Sequence, residues 1–252
     1  TIQPAIVYLV HSNVPGSDPF STTLVLRSIS ALLGFLSIWI ISIYGIRWFS
    51  FNWQILVIIL ISGFFWLYPF LHARFSSENW SGIFLLFGIL LAHRACSNEF
   101  QYRGICAYFS GFTLGLAFFC RFPVGFAVAG LFLWVILISR PPLKLTTIIF
   151  LGFILAICMN IAIDTWFYGD FQLTPVNYFI ANIIDGKAAE FGVDPWWYYI
   201  EKLFFLLVPP ISLLMLPIVI MAVLIRPRNI LTWIVMAFLI GHSIIAHKET
   251  RF

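Results

Sequence analysis

The sequence predicts an all-α bundle of membrane-spanning helices, and three observations carry that reading. Of 252 residues, 62% are hydrophobic and only 10% charged, where a soluble domain carries about a quarter charged residues to solvate its surface. Continuous apolar runs recur along the chain at about the 20 helical residues that cross a hydrocarbon core of about 30 Å. The alternating segments of roughly ten residues that mark a membrane barrel are absent from the sequence. Backbone groups in lipid must bond within the chain, so the runs read as helices in a single transmembrane domain over residues 1–252.

Taken in order, about eight spans are expected, at 25–46, 53–71, 79–93, 104–120, 123–139, 145–164, 199–225 and 230–246. The third is short. The fourth and fifth are separated only by Arg121 and Phe122 before Pro123, as in a tight helical hairpin or a re-entrant pair. Pro209, Pro210 and Pro217 should kink the seventh. Thr1 opens the chain with no initiator Met, basic n-region or cleavage site, and HKETRF closes it directly after an apolar run, so the chain reads as a fragment of a longer polypeptide.

If all the spans cross, one face collects Arg47, Arg94, Arg103, Arg140, Lys144, Arg226 and Arg228 against Glu99. Short basic connectors of this kind predict the cytoplasmic side. Every other acid falls on or beside the opposite face, which also receives the longest polar segment, residues 165–198. Chemistry on polar substrates is expected there. Within that segment Thr174 reads as an N-cap, Pro175 as the first helical residue and Asp185-Gly186 as a stop, giving a short interfacial helix. Trp196, Trp197, Tyr198 and Tyr199 read either as an interfacial belt or as a surface for sugar or lipid tails.

Ionisable groups at helix ends near hydrocarbon are costly and need partners, and three clusters meet that description. His72, Arg74, Ser76, Ser77 and Glu78 lie between the second and third spans; either Ser76 or Ser77 caps the next helix beside a snorkelling Arg74, or Arg74 meets a phosphate or Glu78. Asn79-Trp80-Ser81 is a glycosylation sequon at the start of a span, where modification is not expected. Arg121, enclosed by Phe118, Phe119 and Phe122, needs an anion, whether a carboxylate or a ligand phosphate. His247, Lys248, Glu249 and Arg251 follow a span that also holds His242 and form either a solvated end or an anion clamp, Lys as a point charge and Arg as a planar fork.

Other classes are excluded. The net charge of +4 is scattered between apolar spans rather than gathered in a nucleic-acid patch. Cys96, Cys106, Cys120 and Cys158 lack metal spacing and read as small packing residues. The sequence contains no phosphate-binding Gly loop, HExxH or nucleophile elbow, so neither a metal nor a cofactor is expected.

HKETRF resembles the HKExRF signature of the alpha-mannosyltransferases that build GPI anchors and the lumenal branches of N-glycan precursors. DTWFYGDFQLTPVNYF from Asp164, FGVDPWWYY from Phe191, ARFSSENW and GLAFFCRFPVG are similar to that family's other motifs, in order. The resemblance implies a GT-C type fold and an inverting transfer of mannose from polyprenyl (dolichyl) phosphate mannose to a glycolipid on the lumenal face, in the endoplasmic reticulum membrane of a eukaryote or the cytoplasmic membrane of a bacterium. It implies that Lys248, Arg251, His247, Arg121 and Arg74 bind the donor phosphate, and that Glu249, Glu78, Asp164 and Tyr168 support them or face the acceptor. The acceptor's general base is expected in a lumenal loop before Thr1, since Asp18 lies too close to the next span, which would leave the fragment inactive. The rival reading is a transporter or flippase for an anionic substrate, which predicts polar residues at mid-span, whereas these charges sit at helix ends.

Overall fold

The structure is a computed structural model, and it describes the chain apart from residues 1, 14–17, 49–51, 65–66, 98–100, 191, 200, 203–210, 246–247 and 249–252. The described residues form helices and connections with no strand. In chain order the helices are α1 (Ile2–Asn13), α2 (Pro19–Trp48), α3 (Asn52–Phe64), α4 (Leu67–His72), α5 (Ser77–Cys96), α6 (Arg103–Cys120), α7 (Gly125–Trp134), α8 (Leu143–Tyr168), α9 (Thr174–Phe179), α10 (Lys187–Glu190), α11 (Ile211–Ile225) and α12 (Ile230–Ile244).

Five stretches among the described residues are long and apolar enough to cross a bilayer: Pro19–Tyr44, Ser77–Cys96, Arg103–Cys120, Phe122–Ser139 and Leu143–Tyr168, with Ile230–Ile244 shorter. The expected span 53–71 is divided between α3 and α4, and the second part of 199–225 is α11, with Pro217 inside it. Pro209 and Pro210 lie outside the described residues. The described residues therefore carry five full-length spans where about eight were expected. The polytopic all-α class holds.

α1 was not foreseen. It packs beside α8, with Tyr8 edge-on to Trp166 at 6.0 Å between centroids. His11 Nδ1 lies 3.2 Å from Thr22 Oγ1, which ties α1 to the start of α2.

In lipid, helices associate through close packing and interhelical hydrogen bonds rather than burial from water. α5 and α6 run antiparallel, stitched by Ser81 Oγ donating to Ala117 O and Ser110 Oγ to Gly88 O, both at 2.8 Å. α6 and α8 run parallel with their backbones almost touching: a Cβ on Gly111 would lie 1.8 Å from Ile149 O, and one on Gly152 would lie 2.2 Å from Tyr108 O. Only glycine permits that approach. The buried stripe of α8 continues through Ile149, Gly152, Ala156, Asn160 and Asp164, one side of one helix. α7 and α12 form a second antiparallel pair, with Gly130 against Ala237 and, one turn further along α7, Trp134 donating Nε1 to Arg228 O at 2.8 Å. α2 joins α5 through Trp80 Nε1 donating to Ser30 Oγ at 2.8 Å.

The fourth and fifth expected spans form a tight hairpin. α6 stops at Cys120, Arg121 is extended (φ −153°, ψ 108°), and a 3-10 turn over Phe122–Val124 leads into α7. α7 continues through a π turn over Val135–Ser139 and ends at Arg140, a non-glycine residue in the left-handed region at φ 47°. Two ends of the bundle result. One gathers the last turn of α5, the first of α6, Arg140 and the α11–α12 turn; the other gathers the start of α5, the α6–α7 turn, the end of α8 and the end of α12.

Candidate functional site

The second end holds the candidate site, and its centre is the α6–α7 turn. Pro123 cannot donate to a continuing helix, so the chain breaks there and presents Arg121 sideways to α5. Arg121 Nη1 lies 2.6 Å from Glu78 Oε1 and 3.4 Å from Ser77 Oγ, which itself donates to Glu78 Oε2 at 3.2 Å. The carboxylate lies in the first turn of α5, where the helix dipole favours negative charge. Ser76 is the N-cap of that helix and accepts from Asn79 N. The anion that Arg121 required is thus a carboxylate from the neighbouring span.

Asn79 is buried and fully engaged in this turn: its Oδ1 lies 2.9 Å from His72 Nδ1, and its Nδ2 donates to Arg74 O at 3.0 Å. The sequon asparagine is therefore structural. Arg74 itself is exposed, its guanidinium 5.3 Å from the centre of the Phe70 ring. It does not meet Glu78, which is taken by Arg121.

Asp164 closes the site from the α8 side. It is fully buried, and Thr174 Oγ1 donates to its Oδ2. Between them α8 ends at Tyr168 because Gly169 turns left-handed (φ 79°) and donates its N–H to Thr165 O. The returning chain starts α9 at Thr174, with Leu173 in the cap position and no side-chain cap. The expectation that Thr174 caps this helix and Pro175 begins it is corrected: the threonine hydroxyl bonds Asp164 instead, a tertiary partner outcompeting the local one. The expected stop holds, since the π turn Ile180–Ile184 ends at Asp185 before left-handed Gly186 (φ 71°). α9 lays Tyr178 on Phe122 at 4.9 Å, next to Arg121. Tyr168 is exposed, edge-on to Phe167.

Two further groups come from the α12 side. His242 is buried, with Nδ1 2.9 Å from Phe238 O and its ring 5.5 Å from Phe126 and 6.0 Å from Tyr199. Lys248 is only 4% exposed, and its Nζ donates to Asp194 O at 3.0 Å and Ile245 O at 2.7 Å. This ammonium ties the chain after α12 to the segment before the Trp196–Trp197 pair. His247, Glu249 and Arg251 lie outside the described residues. No group of three metal-ligating side chains occurs among the described residues.

The structure therefore brings Glu78 to Arg121, and Asp164, His242 and Lys248 to the same end, while Arg74 and Tyr168 stay on its exposed margin. His242 is the residue that sequence reasoning undervalued. Its signal was a lone polar ring in the apolar run of α12.

Comparison with known proteins adds the following. The chain is 32% identical over 97 residues to the probable Dol-P-Man:Man(7)GlcNAc(2)-PP-Dol alpha-1,6-mannosyltransferase of Schizosaccharomyces pombe, covering 38% of this chain and 17% of that protein. It is 31% identical over 120 residues to GPI mannosyltransferase 3 of Candida albicans, covering 48% of this chain and 23% of that protein. It is 31% identical over 103 residues to GPI alpha-1,2-mannosyltransferase 3 of Mus musculus, covering 40% and 18%. The matched stretches thus span about a fifth of these relatives' own length. No solved structure matches. The Alg9-like mannosyltransferase profile matches residues 4–252, nearly the whole chain, and the chain belongs to the Alg9-like mannosyltransferase family.

Proposed function

We propose that this chain is part of a membrane enzyme that moves mannose from polyprenyl (dolichyl) phosphate mannose to a glycolipid acceptor, with inversion, at the bundle end that holds Glu78, Arg121 and Asp164. The family match over residues 4–252 carries the reading. The charge asymmetry of the connectors supports a lumenal or extracytoplasmic position for that end, in the endoplasmic reticulum membrane if the source is eukaryotic.

In the reaction the acceptor hydroxyl attacks the anomeric carbon, and its proton passes to a carboxylate base. The bond from that carbon to the phosphate oxygen breaks, and its electron pair leaves with the lipid phosphate. Cations aimed at the departing oxygens lower the barrier. Lys248 suits this role because an ammonium has three donors and two are accounted for by the carbonyls of Asp194 and Ile245. Arg251 and His247 belong to the same motif, Arg121 adds charge held in place by Glu78, and Arg74 lies at the margin. Glu249 orients the motif's cations. Asp164, bonded by Thr174, and Tyr168 brace the loop after α8. The phosphate is stabilised by side chains, and the reading invokes neither metal nor cofactor.

The test is mannose transfer by the full-length protein from polyprenyl phosphate mannose to a lipid-extract acceptor pool, comparing wild type with Lys248→Ala and Arg251→Ala at matched folded levels. Loss of transfer by about 10²-fold or more, the size expected for one removed charge-stabilising donor, supports the phosphate clamp. Absence of transfer to any acceptor, together with uptake or flipping of a labelled anion, overturns the transferase reading.

A further inference from the structure

A cavity of about 410 Å³ lies at the opposite, basic end, between α2, α5 and α6. Its volume falls in the range of about 300–1,000 Å³ typical of small-molecule sites. Its walls include Ile43, Tyr44, Leu90, Arg94, Ile105 and Phe109, and apart from Thr113, whose hydroxyl is turned back to the carbonyls of Phe109 and Ser110, its polar groups are gathered at one corner. There the Arg94 guanidinium sits 4.5 Å from the centre of the Tyr44 ring, an arrangement that orients the cation, and Tyr44 OH reaches Leu90 O at 3.4 Å. Arg103, the first residue of α6, lies at the same end of the bundle and donates Nε at 2.9 Å to the carbonyl of Ala95. Ile105 and Phe109 are 58% and 48% exposed, which opens the apolar wall to the side of the bundle.

This cavity is separate from the site above. Glu78 and Arg94 lie at the two ends of α5, about 24 Å apart at a rise of 1.5 Å per residue.

We infer that the α2–α5–α6 cavity binds one anionic phospholipid of the adjacent leaflet, an acyl chain along Ile43, Ile105 and Phe109 and the headgroup phosphate on Arg94. An apolar trough ending in a guanidinium matches a lipid in both parts: the trough takes a chain, and the cation takes a phosphate that neighbouring basic connectors also attract. The choice of lipid rests on the orientation proposed above, because anionic lipids populate the cytoplasmic leaflet. Binding and transfer are then read independently.

The experiment uses full-length protein in detergent, incubated with mixed micelles of phosphatidylserine or phosphatidylcholine with matched chains, and measures lipid retained per protein by native mass spectrometry. Wild type should retain phosphatidylserine about fivefold over phosphatidylcholine, the preference expected from one basic side chain at an anionic surface. Arg94→Gln should bring that ratio close to one while mannose transfer persists. Ile105→Trp, at an exposed wall position that tolerates bulk, should lower retention of both lipids. Equal retention by wild type, an unchanged preference in Arg94→Gln, or displacement of phosphatidylserine by a polyprenyl phosphate at equal concentration would overturn the assignment.

Discussion

Glu78 and Arg121 meet at 2.6 Å across two spans, 43 residues apart in sequence, and the pair fixes the start of α5 against the end of α6. Arg121 is 18% exposed and Glu78 33%, so the pair is partly desolvated. Removing one partner strands a charge, which costs about 3–5 kcal/mol in a full interior; with this exposure about 2 kcal/mol is expected. Glu78→Gln and Arg121→Gln should each lower the detergent-solubilised melting temperature. Exchanging them, Glu78→Arg with Arg121→Glu, should recover part of the stability; under the proposed mechanism mannose transfer should stay low, because the cation then sits on α5 instead of α6.

The Asp164–Thr174 contact holds the loop after α8 in place. Thr174→Val removes the hydroxyl and leaves a buried carboxylate short of a donor, a loss of about 1–3 kcal/mol. Its signature should be local: faster hydrogen exchange or proteolysis over residues 169–179 with the α5–α6 pair unaffected. Thr174→Ser, which keeps the donor, should behave as wild type.

Gly152 sits against the carbonyl of Tyr108, so Gly152→Leu forces α6 and α8 apart. Overpacking typically costs about 1–3 kcal/mol, and here the obstacle is backbone, so about 3 kcal/mol or failure to accumulate is expected by thermal unfolding and expression level. The same change at Gly82, where a Cβ would meet nothing within 4 Å, should be tolerated.

Asn79 should carry no glycan in a eukaryotic host, because its side-chain amide is buried and bonded to His72 and Arg74. Endoglycosidase treatment should leave the electrophoretic mobility unchanged. Asn79→Ala should instead reduce thermal stability, through two lost hydrogen bonds worth about 1 kcal/mol each.

Asp18 precedes α2, and hydrogen bonds from the Ser21 side chain and backbone N–H hold its carboxyl below the usual carboxylate range; the N–H bond is 2.7 Å. A depressed folded-state pKa gives a contribution that is present above the unfolded carboxylate range and is lost as pH falls through the folded value. Protection of the Ser21 amide should therefore fade only at acid pH, and Asp18→Ala should abolish this pH dependence.

The fold class was legible because lipid imposes one rule on every span, and composition reports it directly. The count of spans was less so, since the stretch read as 53–71 breaks into α3 and α4. At the site, the need of Arg121 for an anion was readable from its apolar neighbours, but Glu78 as the partner was not, because sequence does not state which helix ends adjoin. Thr174 shows the opposite failure: a local capping rule applied correctly to Thr-Pro, then overridden by a carboxylate ten residues upstream. His242 stood in plain sight as a polar ring in an apolar run, yet only the packing of Phe126 and Tyr199 around it gives it a place.

The glycine seam between α6 and α8 also sets a phase. Gly152 and Asp164 lie on one stripe of α8, so the seam fixes the rotation of that helix and thereby the compass bearing of its carboxylate. A single residue inserted between them would leave the seam gripping as before while swinging Asp164 through about 100°, the angle per residue implied by 3.6 residues per turn, away from Thr174. Helix length in this stretch is consequently constrained in steps of whole turns, and α8 works as an indexed shaft: clamped along its middle, it delivers its last turn at one angle.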